Sequence, residues 1–155
     1  MTSVSRLAEK IQEAAHNYYR LILVLSPFAA DRTKFLRAAG EQLGYPLLNL
    51  NLILSEQLLG LTEQKRKAEV LTRLPALMYE AGGKTVLIDS IEILFLPDLG
   101  LDPLKALQSA SRNQTMVVSW PGTFDGQDLI YAERGHPEYR IYHNIRSADS
   151  LLLIL

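Results

Sequence analysis

The amino-acid sequence predicts one α/β domain built on a mostly parallel, five-stranded sheet with helices on both faces. Three observations lead there. Aliphatic runs at residues 21–25, 85–89, 116–120 and 151–155 show little polar alternation, as expected of strands buried on both faces. Stretches with helical periodicity separate them, the order that yields a parallel sheet. The 155 residues, 48% hydrophobic and 21% charged, suit a single domain, 1–155, with a substantial core.

Val4, Leu7, Ile11, Ala14, Ala15 and Tyr18 form one apolar stripe, so an amphipathic helix is expected within residues 1–20, with Thr2 or Ser3 as its cap. Few basic residues flank the stripe, which favours packing on the sheet over a membrane. The strand at 21–25 leads into a loop at 26–30, opened by Pro27. A helix is expected from Asp31 through Phe35, Leu36, Ala39 and Leu43 to Gly44, a typical helix-ending glycine. Leu alternates with Asn over 46–52, which reads as a strand with Asn49 and Asn51 on one face. A short helix at 55–59 and a polar, exposed stretch at 62–67 follow. The next helix runs to Ala81, bent at Pro75 and ended by Gly82-Gly83, because proline breaks the hydrogen-bond ladder. Asp102 and Pro103 start a helix that reaches Asn113. Residues 129–143 read as a β-hairpin insertion, with strands at 129–132 and 138–143 joined around Gly135-His136-Pro137.

Composition narrows the function classes. Sixteen basic against seventeen acidic residues give a net charge of −1, so nothing draws the whole chain to nucleic acid or anionic lipid. There are no cysteines, which removes disulfides, zinc ribbons and thiol catalysis. The N-terminus lacks the apolar centre of a secretory signal. The apolar runs fall far short of the roughly 18 residues a membrane helix needs. A soluble, cytoplasmic protein with no membrane partner is expected.

Where the first strand meets its helix the chain reads Ser26-Pro-Phe-Ala-Ala-Asp31-Arg32-Thr33. The phosphate-loop pattern G-x-x-x-x-G-K-[ST] occupies the same place in P-loop proteins. Ser26 and Asp31 stand where the glycines belong, and Arg32 stands for the lysine. Only Thr33 fits outright. Side chains at the glycine positions restrict a backbone that must fold around phosphate. Asp31 repels a polyphosphate and is suited to capping the helix itself. Arg32 keeps the positive charge in a different shape, and Thr33 offers a hydroxyl to magnesium. A plain strand–loop–helix with an aspartate cap accounts for these residues equally well.

Asp89 ends an aliphatic strand, the position from which P-loop enzymes hold magnesium. Glu92 is the nearest candidate for activating water. Strand alternation puts it opposite Asp89 unless the chain turns after Asp89, and a solvated loop carboxylate is the competing reading. Ser119 ends the fourth strand, placed either to sense a terminal phosphate or to cap a turn before Pro121. Arg112, Arg134 and Arg140 are candidate arginine fingers, which require self-association. Lys65-Arg66-Lys67 is a short basic cluster, read either as a phosphate-backbone contact or as solvated surface. His16, His136 and His143 lack metal-ligand spacing.

Taken in order, Asn49-Leu-Asn-Leu, Leu87-Ile-Asp-Ser-Ile-Glu-Ile-Leu-Phe95, Leu101-Asp-Pro-Leu, Ser111-Arg-Asn-Gln-Thr, Ser119-Trp-Pro-Gly and Tyr131-Ala-Glu-Arg-Gly-His-Pro-Glu-Tyr139 resemble the BrxF family. These are small P-loop proteins of type III bacteriophage-exclusion (BREX) defence systems. The resemblance runs from about Leu21 to the C-terminus. It implies a three-layer, AAA+-like P-loop NTPase fold and a place in a multiprotein antiviral system that also modifies host DNA, with the other proteins of that system as partners. It implies an ATP or ADP site at Ser26, Pro27, Asp31, Arg32, Thr33, Asp89 and Ser119, with magnesium at Thr33 and Asp89 when nucleotide binds. This chain departs from the family in its missing glycines and lysine, so the resemblance speaks more for membership than for ATPase activity. No helical lid is expected after Leu155.

The expected function is therefore a degenerate P-loop subunit that acts mainly through protein partners and is at most a weak ATPase. Losing one well-placed charge stabiliser commonly raises a barrier by about 2–4 kcal/mol, and several are altered here. A genuine ATP/ADP-binding subunit is the alternative. A DNA-contacting module is a second alternative, with indirect or weak contact given the charge balance. The Tyr131 to Tyr142 hairpin is a candidate contact surface, its tyrosines either exposed to a partner or packed on the sheet.

Overall fold

The computed structural model describes residues 2–132, 135–145 and 151–155. Its centre is a sheet of β1 (Leu21–Leu25), β2 (Leu47–Asn49), β3 (Thr85–Asp89), β4 (Thr115–Ser119) and β8 (Leu151–Ile154), in the order β2-β3-β4-β1-β8. Every pairing in it is parallel. β1 is an interior strand, between β4 and β8, and is buried along its whole length. That burial explains the unbroken aliphatic run.

Alternate residues of β1 feed two cores. Ile22 and Val24, with Val117, Leu151 and Leu153, pack against Leu7 and Ala14 of α1 (Ser3–Ala14) and Leu36 and Ala39 of α2 (Ala29–Leu43). Leu21, Leu23 and Leu25 face the other core, with α3 (Leu50–Gln57), α4 (Glu63–Ala81) and α5 (Pro103–Ala110). The result is three layers. Thr2 caps α1, its hydroxyl accepting from the Ser5 amide at 3.1 Å; Val4, Leu7, Ile11 and Ala14 of the stripe pack on the sheet, while Ala15 and Tyr18 fall beyond the end of the helix and are exposed.

Several boundaries moved. The expected strand at 46–52 is only Leu47–Asn49, because Asn49 becomes the N-cap of α3: its Oδ1 accepts from the Leu52 amide at 3.1 Å. Asn51 is thus helical, and the two asparagines do not share a strand face. The short helix expected at 55–59 begins at Leu50, and α4 begins at Glu63, taking in most of the polar stretch at 62–67, which is largely exposed. α4 continues through Pro75. α5 starts as predicted, with Asp102 Oδ1 accepting from the Lys105 amide, and ends at Ala110 rather than Asn113.

The hairpin forms with an extra strand: β5 (Thr123–Phe124), β6 (Leu129–Tyr131) and β7 (Arg140–Tyr142) pair antiparallel. Glu133 and Arg134 lie outside the described residues. Tyr131 stacks on Phe95 with ring centroids 3.7 Å apart, and Tyr142 meets Trp120 edge-on at 6.0 Å. The Tyr142 hydroxyl donates to Asp102 Oδ1 at 2.9 Å and accepts from the Leu104 amide at 3.3 Å. These two tyrosines anchor the hairpin rather than present it.

Burial, reinforced by Glu138, pushes the Tyr131 phenol up to about 12, and burial also raises Tyr142. The native state therefore holds these protons more tightly than the unfolded chain, whose tyrosines titrate near 10. Stability contributed by this pair is fully present below about pH 10 and is lost as pH rises toward about 12. Urea titrations between pH 9 and 11.5 should show falling stability, with a shallower fall in Tyr142→Phe.

Candidate functional site

The carboxyl ends of parallel strands are where such sheets bind ligands. Register places Ser119 opposite Val24 on β1, and Asp89 lies one strand further out. The turn after β1 therefore sits beside Ser119 and within reach of Asp89.

Two consecutive helical residues connect the three strand ends. Arg32 is 5% exposed; its Nε donates to Ser119 Oγ and its Nη1 to the Ser26 carbonyl, both at 2.7 Å. Thr33 Oγ1 donates to Asp89 Oδ2 at 2.8 Å, while Asp89 Oδ1 accepts from the Ser90 amide at 2.9 Å. Arg32 thus plugs the gap between β1 and β4, and Thr33 ties α2 to β3. Ser119 is an acceptor for Arg32 rather than a turn cap.

The helix start differs from expectation in a way that matters for chemistry. α2 begins at Ala29, with Phe28 at the N-cap and no side-chain cap bond. Asp31 is exposed in the first turn and does not cap; its charge there still complements the helix dipole. Only Ser26, Pro27 and Phe28 separate strand from helix. Pro27 has no amide to offer, Phe28 is 68% exposed, and residues 29–31 are wound into the helix. A phosphate cradle needs backbone amides of the loop and first helical turn converging on an anion. Here the Arg32 guanidinium bonds the Ser26 carbonyl and Ser119 at the carboxyl ends of β1 and β4.

Glu92 is also brought in. Ser90 adopts a left-handed φ of 57°, and its carbonyl accepts from the Asn51 amide at 2.8 Å. This is the turn without which Glu92 would point away. Glu92 opens a short 3₁₀ helix (Glu92–Phe95), and its Oε2 accepts from Asn51 Nδ2 at 2.6 Å. Asn51 Oδ1 in turn accepts from the Ile93 amide at 2.8 Å. Glu92 is therefore not a solvated loop residue. Asn51 is the site residue that sequence reasoning missed: its pairing with Asn49 suggested a strand, and only the helix cap aims it at Glu92.

Burial lowers the affinity of Arg32 for its proton, and the charges of Glu92 and Asp89 oppose that shift. The two ion pairs among the described residues, Arg73–Glu69 and His143–Asp128, lie elsewhere. Arg32 is thus held by neutral acceptors, with two carboxylates acting on it from beyond ion-pair distance. A hollow of about 280 Å³ beside it is lined by Pro27, Arg32, Pro121, Gly122, Thr123, Ile130 and Ala132. A hollow of about 490 Å³ between the ends of α3 and α4 and the 3₁₀ turns includes none of the loop residues.

Two of the three candidate arginine fingers have partners within the chain. Arg112 stacks over Tyr18 at 4.1 Å, and Arg140 Nη2 donates to the Leu101 carbonyl at 2.6 Å; Arg134 lies outside the described residues. Arg66 Nε donates to the Leu61 carbonyl at 3.1 Å. Among the described residues no three His, Asp or Glu side chains converge as metal ligands, and no helix is long and apolar enough to cross a membrane. Compared with protein-family models, with curated proteins and with solved structures, the chain matches none. The arrangement itself defines a parallel α/β domain with an arginine-filled crevice at its strand ends.

Proposed function

We propose that this chain is a degenerate P-loop subunit of a bacteriophage-exclusion system, cytoplasmic, acting through the other proteins of that system and hydrolysing ATP weakly or not at all. The observation that carries the reading is the Arg32 guanidinium, bonded to Ser119 and to the Ser26 carbonyl where a phosphate would sit. The sheet order supports the AAA+-like part, since it sets the Ser119 strand between the loop strand and the Asp89 strand. To enter, a polyphosphate must break both bonds of Arg32 and unwind the first turn of α2. It must also approach Asp89, Glu92 and the exposed Asp31. Each step costs free energy that a glycine loop does not incur.

One observation favours the alternative of an ATP- or ADP-binding subunit. Thr33 and Asp89 already touch, and this hydroxyl–carboxylate pair would hold a magnesium ion that arrives with nucleotide. Isothermal calorimetry with ATP or ADP plus magnesium, on wild type and Arg32→Ala, separates the two. No binding tighter than millimolar is expected in wild type; micromolar binding would eliminate the plugged-site reading. Pull-down with the other defence proteins tests the scaffold role, and recovery of none of them would count against it. DNA contact is the weakest reading, because the Lys65 to Lys67 cluster is a short segment of one helix.

A further inference from the structure

Arg32 is a buried cation with no ion-pair partner among the described residues. Its two bonds go to neutral oxygens, Ser119 Oγ and the Ser26 carbonyl. A guanidinium has five N–H donors, and Nη2 makes no bond among the described residues. The hollow of about 280 Å³ beside it has no second charged residue in its walls. Pro121, Ile130 and Ala132 make it apolar, and Thr123 adds one hydroxyl on an exposed rim. A further hollow of about 170 Å³ shares Pro27, Gly122 and Thr123 with the first and continues between Leu25, Phe124 and Ile154. Together they form a crevice with a cation at one end and hydrocarbon at the other.

We infer that this crevice binds a carboxylate carried on a short apolar body. The carboxylate meets the Arg32 guanidinium, and the body reaches past Thr123 toward Phe124 and Ile154. A buried charge without a counter-ion is costly, and an arriving anion removes that cost. Asp89 and Glu92 line neither hollow, so no carboxylate of theirs stands in the crevice. The planar guanidinium fork suits a carboxylate. One cation among apolar walls matches a single negative charge; a second would be left there uncompensated. The inference rests on the placement of Arg32 and not on the nucleotide reading. Micromolar ATP binding would overturn that reading alone, and failure to bind a carboxylate would overturn this one alone.

Isothermal calorimetry on the full chain at about pH 8, where an alkyl phosphate is doubly charged, tests it with three probes. Hexanoate is expected to bind saturably, and hexanamide at least about tenfold more weakly for want of the charge. Hexyl phosphate should also bind more weakly than hexanoate. Thr123→Asp sets a like charge on the rim and should weaken hexanoate at least about tenfold. Thr123→Asn has the same shape without the charge and should keep wild-type affinity. Thr123 is exposed and bonds neither to Arg32 nor to its partners, and the comparison of probes needs no variant at all. A peptide ending in leucine distinguishes the sources of the group: binding tighter than hexanoate identifies a chain terminus, weaker binding a free acid. The inference is overturned if neither hexanoate nor the peptide binds, or if hexanamide or hexyl phosphate binds as well as hexanoate. Hexanoate binding that Thr123→Asp leaves unchanged would overturn it too.

Discussion

Replacing Gly122 with alanine is expected to lower the unfolding free energy by about 4 kcal/mol, the range reached when an atom has nowhere to go. The new Cβ would stand 1.7 Å from the Ile130 carbonyl oxygen, 2.8 Å from its carbon and 2.8 Å from Trp120 Nε1. Two of these are backbone atoms of β6, which is paired on both sides, so relief requires moving the hairpin off the sheet. Nor is the loss confined to the hairpin. Trp120 meets both Phe95 and Tyr142 edge-on, and Ser119, one residue earlier, accepts the Arg32 bond. Urea denaturation followed by tryptophan fluorescence measures the effect on the chain's single tryptophan. Gly44→Ala is the control. Its φ is 75° but nothing lies within 4 Å of the added methyl, so only the left-handed strain, about 1 kcal/mol, should appear.

Arg32→Ala carries the second large effect, a destabilisation of about 2–4 kcal/mol. The substitution removes two charge-assisted bonds of 2.7 Å and strands Ser119 and the Ser26 carbonyl in a buried gap. It also removes the positive charge balancing Asp89 and Glu92. A double-mutant cycle isolates that second part. Asp89→Asn keeps a polar partner for Thr33 while removing one negative charge, so it should cost less in the Arg32→Ala background than in wild type. Equal cost in both backgrounds would show that Arg32 and Asp89 do not act on each other. In a nucleotide-binding loop the cation is kept for the ligand, and its loss harms binding more than folding. Here folding should suffer first.

Legibility varied along the chain for physical reasons. The strands at 21–25, 85–89 and 151–154 were readable because burial on both faces leaves an unbroken aliphatic run. The start of α5 was readable because Asp102 and Pro103 act within a few bonds of themselves. Asn49 misled because cap and strand residues look alike when Leu alternates with Asn; the choice was made by how early α3 could begin. Asp31 misled in the same way, a good cap overruled when the helix started at Ala29. The hairpin tyrosines offered no local sign of facing Phe95 and Trp120, since those partners come from elements far away in sequence.

By itself, the sequence determined a parallel α/β domain, the place of its strand-to-helix turn and the residues Ser26, Arg32, Thr33, Asp89 and Ser119 that gather there. The domain and the turn follow from burial periodicity and chain connectivity, which are local, and the residues from the phosphate-loop pattern laid on that turn and from the family resemblance. Folding alone turns Arg32 inward onto Ser119, bends Glu92 back to Asn51 through Ser90, and leaves Gly122 no room for a methyl. Each of these rests on atoms brought together from distant strands, and side-chain direction across a sheet edge is set by what packs opposite, not by neighbours in the chain.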